Sequence, residues 1–173
     1  GNSKLKIKNE SLKASIFVLI IKMTKKSRIY NSIEKIPSDN VSKFWSSRAK
    51  NTSSLEGFLL GEGLATNSAL IRNEKEKKIL QPLLTKNKNQ KIKILDIGSG
   101  IGRWANNLLP IIDIYHGIDF SENFVLKDYE IFKNYKNISF FTMSATDIDR
   151  TKLLKHYDLI IINGVCMYIN DVP

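Results

Sequence analysis

One cysteine, Cys166, stands in 173 residues. No disulfide can form within the chain, and a reducing, cytoplasmic setting is expected. With two histidines besides, the sequence lacks the clustered ligands of a zinc site, and no metal is expected. Long apolar runs are missing too. The stretch ASIFVLII, residues 14–21, is far shorter than the roughly 20 residues that span a bilayer. Lysines precede it, but KMTKK follows where an export signal would show small residues. It reads as a buried strand or an interfacial helix, and no membrane span is expected. Met23 before a polar, basic segment reads as a natural start, with residues 1–22 as an upstream extension.

Arginine is scarce. The net charge is +10, yet only 5 of the 27 basic residues are arginine, and asparagine and isoleucine are abundant. Residues 1–91 hold 19 basic against 7 acidic side chains, and residues 92–173 hold 8 against 10. A basic front half could be a nucleic-acid footprint. A phosphate-reading surface favours the bidentate arginine fork, however, and this lysine-rich mixture fits an AT-rich genome better.

The chain divides into a basic N-terminal extension (1–40), a helical cap (41–90) and an α/β core (91–173). IPSDN is a loop offering Ser38, Asp39 or Asn40 as a helix N-cap. Val41, Phe44, Trp45 and Arg48 then recur at helical spacing. Gly57, Gly61 and Gly63 loosen the next segment, and a longer helix runs from Thr66 or Asn67 to about Leu84, its end bent by Pro82. TKNKNQK is a polar linker. From residue 92 the rhythm changes. IKILDI is an apolar strand of the kind buried on both faces of a parallel sheet. A helix over 101–109 ends at Pro110 and IDIYHGID is the next strand. Ser121 caps a helix striped by Val125, Tyr129 and Phe132, and NISFFT is a third strand. A short helix near 150–155 precedes YDLIIIN. Strands alternating with helices predict a doubly wound α/β sheet, with ligands beyond the carboxyl ends of its strands.

The first of these strands ends in LDIGSGIGRWA, with Gly98, Gly100 and Gly102 two apart behind Asp96. Glycines there permit a sharp turn and close approach of backbone to a ligand. A dinucleotide site wants its third glycine at position 103, where Arg103 stands. Asp96 would also repel a diphosphate, whereas it suits a ligand carrying an ammonium and a sulfonium.

Asp-x-Gly-x-Gly-x-Gly after the first strand resembles the leading motif of class I S-adenosylmethionine-dependent methyltransferases. Asp119 in YHGIDFS matches the acid of that family's second strand, and YDLIIIN with GVCMYI is similar to its fourth-strand segment. The resemblance implies a Rossmann-like sheet, S-adenosylmethionine as cofactor and S-adenosylhomocysteine as product. Asp96, Gly98, Ser99, Gly100 and Gly102 would hold the amino-acid end, Asp119 the ribose, and Phe120 would lie beside the adenine. The family's third-strand Asp-Ala is here Ser144-Ala145, so the adenine loses a carboxylate partner and Ser144, a backbone group or Asp147 takes its place. Asn163 opens the segment lining the methyl-transfer face. FWSSRA resembles the cap of small-molecule and sugar-modifying members, which makes Arg48 a partner of the methionine carboxylate. Trp45, Arg103 and Tyr168 become candidates on the acceptor side.

Methyl transfer from a sulfonium is an in-line displacement with a neutral leaving group, so alignment and exclusion of water are the main requirements. No catalytic base is assigned. His116 sits mid-strand and reads as packing, and Cys166 reads as a partly buried, inert thiol. Asn163-Gly164-Val165-Cys166 lacks the prolines of enzymes that methylate exocyclic base amines. The expected activity is methyl transfer to a small-molecule or sugar-like acceptor. The alternatives are an RNA or protein methyltransferase using the basic half, or a silent cofactor-binding module. Only four strands are legible where the family has seven, so the sheet reads as truncated after the fourth. That would leave an apolar edge. A longer parent chain, a second copy in a homodimer, or ASIFVLII folding back would each cover it, and the first is expected.

Overall fold

The computed structural model describes residues 17–21, 37–51, 66–86 and 90–169. The expectations for Met23, for the glycines at 57, 61 and 63 and for residues 87–89 of the linker lie outside them. Five strands form one parallel sheet: β1 (Phe17–Ile21), β2 (Ile92–Ile97), β3 (Ile112–Asp119), β4 (Ile138–Thr142) and β5 (Leu159–Asn163). The helices are α1 (Ser38–Asn51), α2 (Thr66–Lys86), α3 (Arg103–Leu108) and α4 (Glu122–Phe132). Strand order is β1-β5-β2-β3-β4. Succession therefore reverses between β2 and β5, where a doubly wound sheet opens its ligand crevice. The edge expected to lie bare beside β5 is covered: β1 runs parallel to it, with Val18 against Ile160 and Ile20 against Ile162. Of the three ways to cover that edge, the fold-back of ASIFVLII is the one seen.

Strand alternation splits the core into two faces. Ile92 and Ile94 of β2 join Leu80 of α2, Trp104 and Leu108 of α3 and Phe132 of α4 on one side. Leu95 and Ile97 face Ile118, Met143 and Tyr157 on the other. Residues 143–157 cover this second face. The short helix expected there is a single 3-10 turn, Arg150–Lys152, whose start is bonded by the Asp149 side chain.

Several local expectations shift. The first turn of α1 closes on the Pro37 carbonyl, which accepts from the N–H of Asn40 and Val41. Pro37 thus holds the cap position, and Ser38, Asp39 and Asn40 form the first turn of the helix. Ser121 occupies the start of α4, but its side chain makes no capping bond. The buried stripe of α4 is Phe124, Asp128 and Phe132. Tyr129, expected in that stripe, is exposed. The helix is rotated because Asp128 and Phe132 pack on the glycine turn. α3 starts at Arg103, two residues later than expected, because Gly102 is left-handed (φ +64°). His116 packs as expected, Nδ1 2.7 Å from the Tyr157 hydroxyl and its ring edge-on to Phe141.

Candidate ligand site at the carboxyl end of the sheet

The turn after β2 is held by its own amides. The N–H groups of Gly98 and Ser99 both donate to the Ile118 carbonyl, at 2.8 and 3.0 Å, and that of Gly102 to the Ser99 carbonyl at 3.1 Å. The Gly100 N–H donates to Asp119 Oδ2 at 3.0 Å. Asp119 Oδ1 accepts from the Ser121 N–H at 2.9 Å. Four amides that would cradle a phosphate are therefore committed within the protein. Gly98, Gly100 and Gly102 all have positive φ. A Cβ on Gly98 would stand 2.1 Å from Val165 Cγ2, and one on Gly102 would stand 2.5 Å from Phe132 Cε2. The third glycine thus serves helix packing instead of clearing a ligand's path.

Above this turn lies a cavity of about 560 Å³, within the range of small-ligand sites. Gly98 comes from the turn, Asp119 and Phe120 from the end of β3, and Phe124 from α4. Met143, Ser144, Ala145 and Thr146 follow β4, and Asn163, Gly164, Val165 and Tyr168 follow β5. α1 closes the mouth with Asp39, Ser42 and Trp45. Trp45 meets Tyr168 edge-on at 5.6 Å between ring centroids, and the Arg48 guanidinium lies over the Trp45 ring at 5.3 Å. The Lys127 ammonium donates to the Ala49 carbonyl and ties α1 to α4. No lysine or arginine is among the described lining residues.

Eight of the fourteen residues singled out in the sequence line this cavity: Gly98, Asp119, Phe120, Ser144, Ala145, Asn163, Tyr168 and Trp45. Ser99, Gly100 and Gly102 build the turn beneath it, and Arg48 reaches it through Trp45. Asp96 and Arg103 are placed differently. Asp96 is fully buried behind the turn. Its Oδ2 accepts the Tyr115 hydroxyl at 2.5 Å, and its Oδ1 has no partner. Burial pushes its pKa up to about 7, against the Tyr115 bond and the Arg103 charge, with Asp119 adding to the rise. Arg103 does not face the cavity, because a buried acid claims it: its Nη2 lies 2.7 Å from Glu76 Oε2. Its Nη1 donates to Asn73 Oδ1 at 3.0 Å. Trp104 is buried as well, under the Arg103 guanidinium. Cys166 is exposed, not partly buried, because it opens a 3-10 turn at the surface.

Sequence reasoning missed Asp128 and Glu76. Asp128 is fully buried with neither oxygen bonded. Burial, then the charges of Asp119 and Asp96, push its pKa up to about 9. Burial also raises Asp119, against the bonds from Ser121 and Gly100. Glu76 sits in RNEKEKK, which reads as a solvated charge run. The one available signal is its spacing of four from Leu80, on the buried face of α2. Its own burial raises its pKa, but the Arg72 bond, the Arg103 charge and Asn163 outweigh this and hold the carboxyl below its usual range.

Residues 95–173 match a family described as a methyltransferase domain. Phosphoethanolamine N-methyltransferase 1 of Zea mays is 33% identical over 78 residues, 45% of this chain and 16% of the maize protein. Malonyl-[acyl-carrier protein] O-methyltransferase of Bacillus anthracis is 34% identical over 87 residues, 49% of this chain and 30% of its own length. The chain thus spans well under half the length of these curated relatives. Among solved structures, magnesium protoporphyrin IX methyltransferase from Synechocystis with bound S-adenosylmethionine superposes with a TM-score of 0.58. It is 16% identical, and the match covers 81% of this chain and 67% of that one. At that identity the likeness establishes the fold. The matched span takes in the glycine turn with Asp96 and Asp119, and the superposition shows the same sheet architecture.

Proposed function

We propose that this chain binds S-adenosylmethionine in the cavity above the glycine turn and serves methyl transfer to a small-molecule acceptor. The observation that carries the reading is the Asp119 carboxylate, which lines the cavity beside a turn whose amides are already bonded. A diphosphate would meet an acid and find four of the turn's amides engaged. A nucleoside with ribose hydroxyls to donate meets an acceptor with lone pairs to spare. One further buried group in the cavity wall supports a hydrogen-bond-donating ligand: Asn163 Oδ1 is an acceptor without a donor.

When bound, the cofactor supplies an electrophilic methyl group on sulfur. The chain's own residues hold and shield it. Asp119 takes the ribose hydroxyls, Phe120 lies along the adenine, and Ser144 and Ala145 offer a polar rim in place of a third-strand acid. Gly98 lets the amino-acid end lie against bare backbone, while Asp96 lies behind the turn. Trp45 and Tyr168 close the mouth and exclude water on the acceptor side, with Arg48 stacked behind Trp45. An in-line displacement asks for this alignment more than for acid–base catalysis.

The relatives differ in acceptor: phosphoethanolamine nitrogen in one, a malonyl oxygen in another. The described lining carries two carboxylates and no basic side chain. It favours a neutral or amine-bearing acceptor over a phosphate-bearing one or the RNA of the alternative reading. Calorimetric titration with S-adenosylhomocysteine and, separately, NADH tests the cofactor reading. Binding of the sulfur nucleoside without NADH binding is expected, and the reverse would overturn it.

A further inference from the structure

We infer that Glu76 is a positioning residue that orients the Asn163 side chain so that its carbonyl oxygen receives the amine of the ligand's amino-acid end. The inference rests on the cofactor reading above. Both Glu76 oxygens are engaged by three elements. Oε1 accepts from Arg72 Nε at 2.8 Å. Oε2 accepts from Arg103 Nη2 at 2.7 Å and from Asn163 Nδ2 at 2.9 Å. A carboxylate in this clasp accepts and does not donate. The Asn163 amide must therefore turn its NH₂ to Glu76, which fixes Oδ1 as the free end of the fork.

That Oδ1 is buried and has no partner. Asn163 is in the cavity wall. It follows Ile162, whose register partner is Ile97, so it stands beside Gly98 at the point where strand order reverses. An orphaned acceptor is costly to a folded protein unless a donor arrives. An N–H donor lying on the glycine turn is the chemistry that fits. Without Glu76 nothing among the described residues fixes which end of the amide faces Nδ2's present position.

Glu76 also has a purely structural task, since it neutralises the buried Arg103. The test must separate the two. Leucine at both 76 and 103 removes the buried pair as a unit, a change that folded proteins often tolerate. The full chain, Glu76→Gln, the double variant Glu76→Leu/Arg103→Leu and Asn163→Leu would each be titrated with two ligands. One is S-adenosylhomocysteine, and the other is its analogue with hydrogen in place of the α-amino group. The unaltered chain should prefer the amine-bearing ligand by about tenfold or more, as a charge-assisted hydrogen bond gives. All three variants should lose that preference, and the two Glu76 variants should bind the deaminated analogue as the unaltered chain does. If the two Glu76 variants keep the preference, or weaken both ligands in step, the inference is overturned and Glu76 is structural alone. If the unaltered chain binds neither ligand, the cofactor reading fails and takes this inference with it.

Discussion

The side chain of Val165 closes directly over the α-carbon of Gly98: a Cβ built there would stand 2.1 Å from Val165 Cγ2. The loop after β5 thus packs onto the turn after β2, across the point where strand order reverses. Gly98→Ala introduces both this clash and a left-handed backbone at φ +76°. The backbone part costs about 1–2 kcal/mol, and valine, stiff at χ1, cannot swing aside cheaply. Urea unfolding should show Gly98→Ala losing clearly more than that. Adding Val165→Ala should return the loss to about 1–2 kcal/mol, the part that belongs to the backbone. Equal losses in the single and double variants would mean that the contact carries no strain.

Asp119 holds two stretches of backbone at once, and this makes its substitution informative. Asp119→Asn keeps the shape but leaves one fork position a donor, facing an N–H from either Gly100 or Ser121. One amide then loses its acceptor at a buried site, a cost of about 1–3 kcal/mol. The variant should unfold at lower denaturant and bind S-adenosylhomocysteine at least about tenfold more weakly. Calorimetry and a denaturation curve on the same sample check both. Unchanged affinity would remove Asp119 from the ribose role.

The core strands and the turn were legible because short-range chemistry decides them. IDIYHGID reads as a strand end to end and is one, since apolar, β-branched sequence between turn residues leaves no competitor. The turn was legible because three positive-φ glycines behind an acid have few other uses. What stayed hidden depends on contacts across the chain. Glu76 and Arg103 are 27 positions apart, and neither residue announces the other. Asp128 sits one place before the aromatic that periodicity favoured, Tyr129, because Phe132 must meet Gly102. No local rule knows which side of α4 the glycine turn will touch. The coverage of β5 by FVLII is non-local in the same sense: composition left it open between a buried strand and an interfacial helix, and only the apolar edge of a distant strand gave it a place.

Burial of Asp128 and Asp96 should make the chain less stable as pH rises. In the folded state Asp128 titrates at about 9 and Asp96 at about 7, both above the ordinary carboxyl range that applies to the unfolded chain. Between those limits the folded state binds the extra protons, so raising pH favours unfolding. Each such group contributes a slope of up to about 1.4 kcal/mol per pH unit inside its own window. That window runs from the unfolded carboxyl value to about 9 for Asp128, and to about 7 for Asp96. Denaturant midpoints should fall from pH 5 to pH 8, and Asp128→Asn should flatten the fall across that span. A variant whose midpoints decline as steeply as the parent's would show that Asp128 is ionised in the folded protein.

The cap is joined to the site through aromatic edges, and that coupling can be measured. Trp45 of α1 and Tyr168 after β5 meet at 5.6 Å with planes 86° apart. Edge-to-face pairs of this kind contribute about 0.5–1.5 kcal/mol beyond their area. A double-mutant cycle on the unfolding free energy of Trp45→Ala, Tyr168→Ala and the pair should return a coupling in that range. Trp45 reaches the sheet through this contact, and α1 is held independently by Lys127 on the Ala49 carbonyl. Loss of Trp45 should therefore open the mouth without releasing the helix. Far-ultraviolet circular dichroism should be unchanged in Trp45→Ala, while affinity for S-adenosylhomocysteine falls and Trp45→Phe recovers most of it. A collapse of helical signal in Trp45→Ala would mean that the tryptophan holds α1 on the domain, and the cap would be a matter of folding and not of closure.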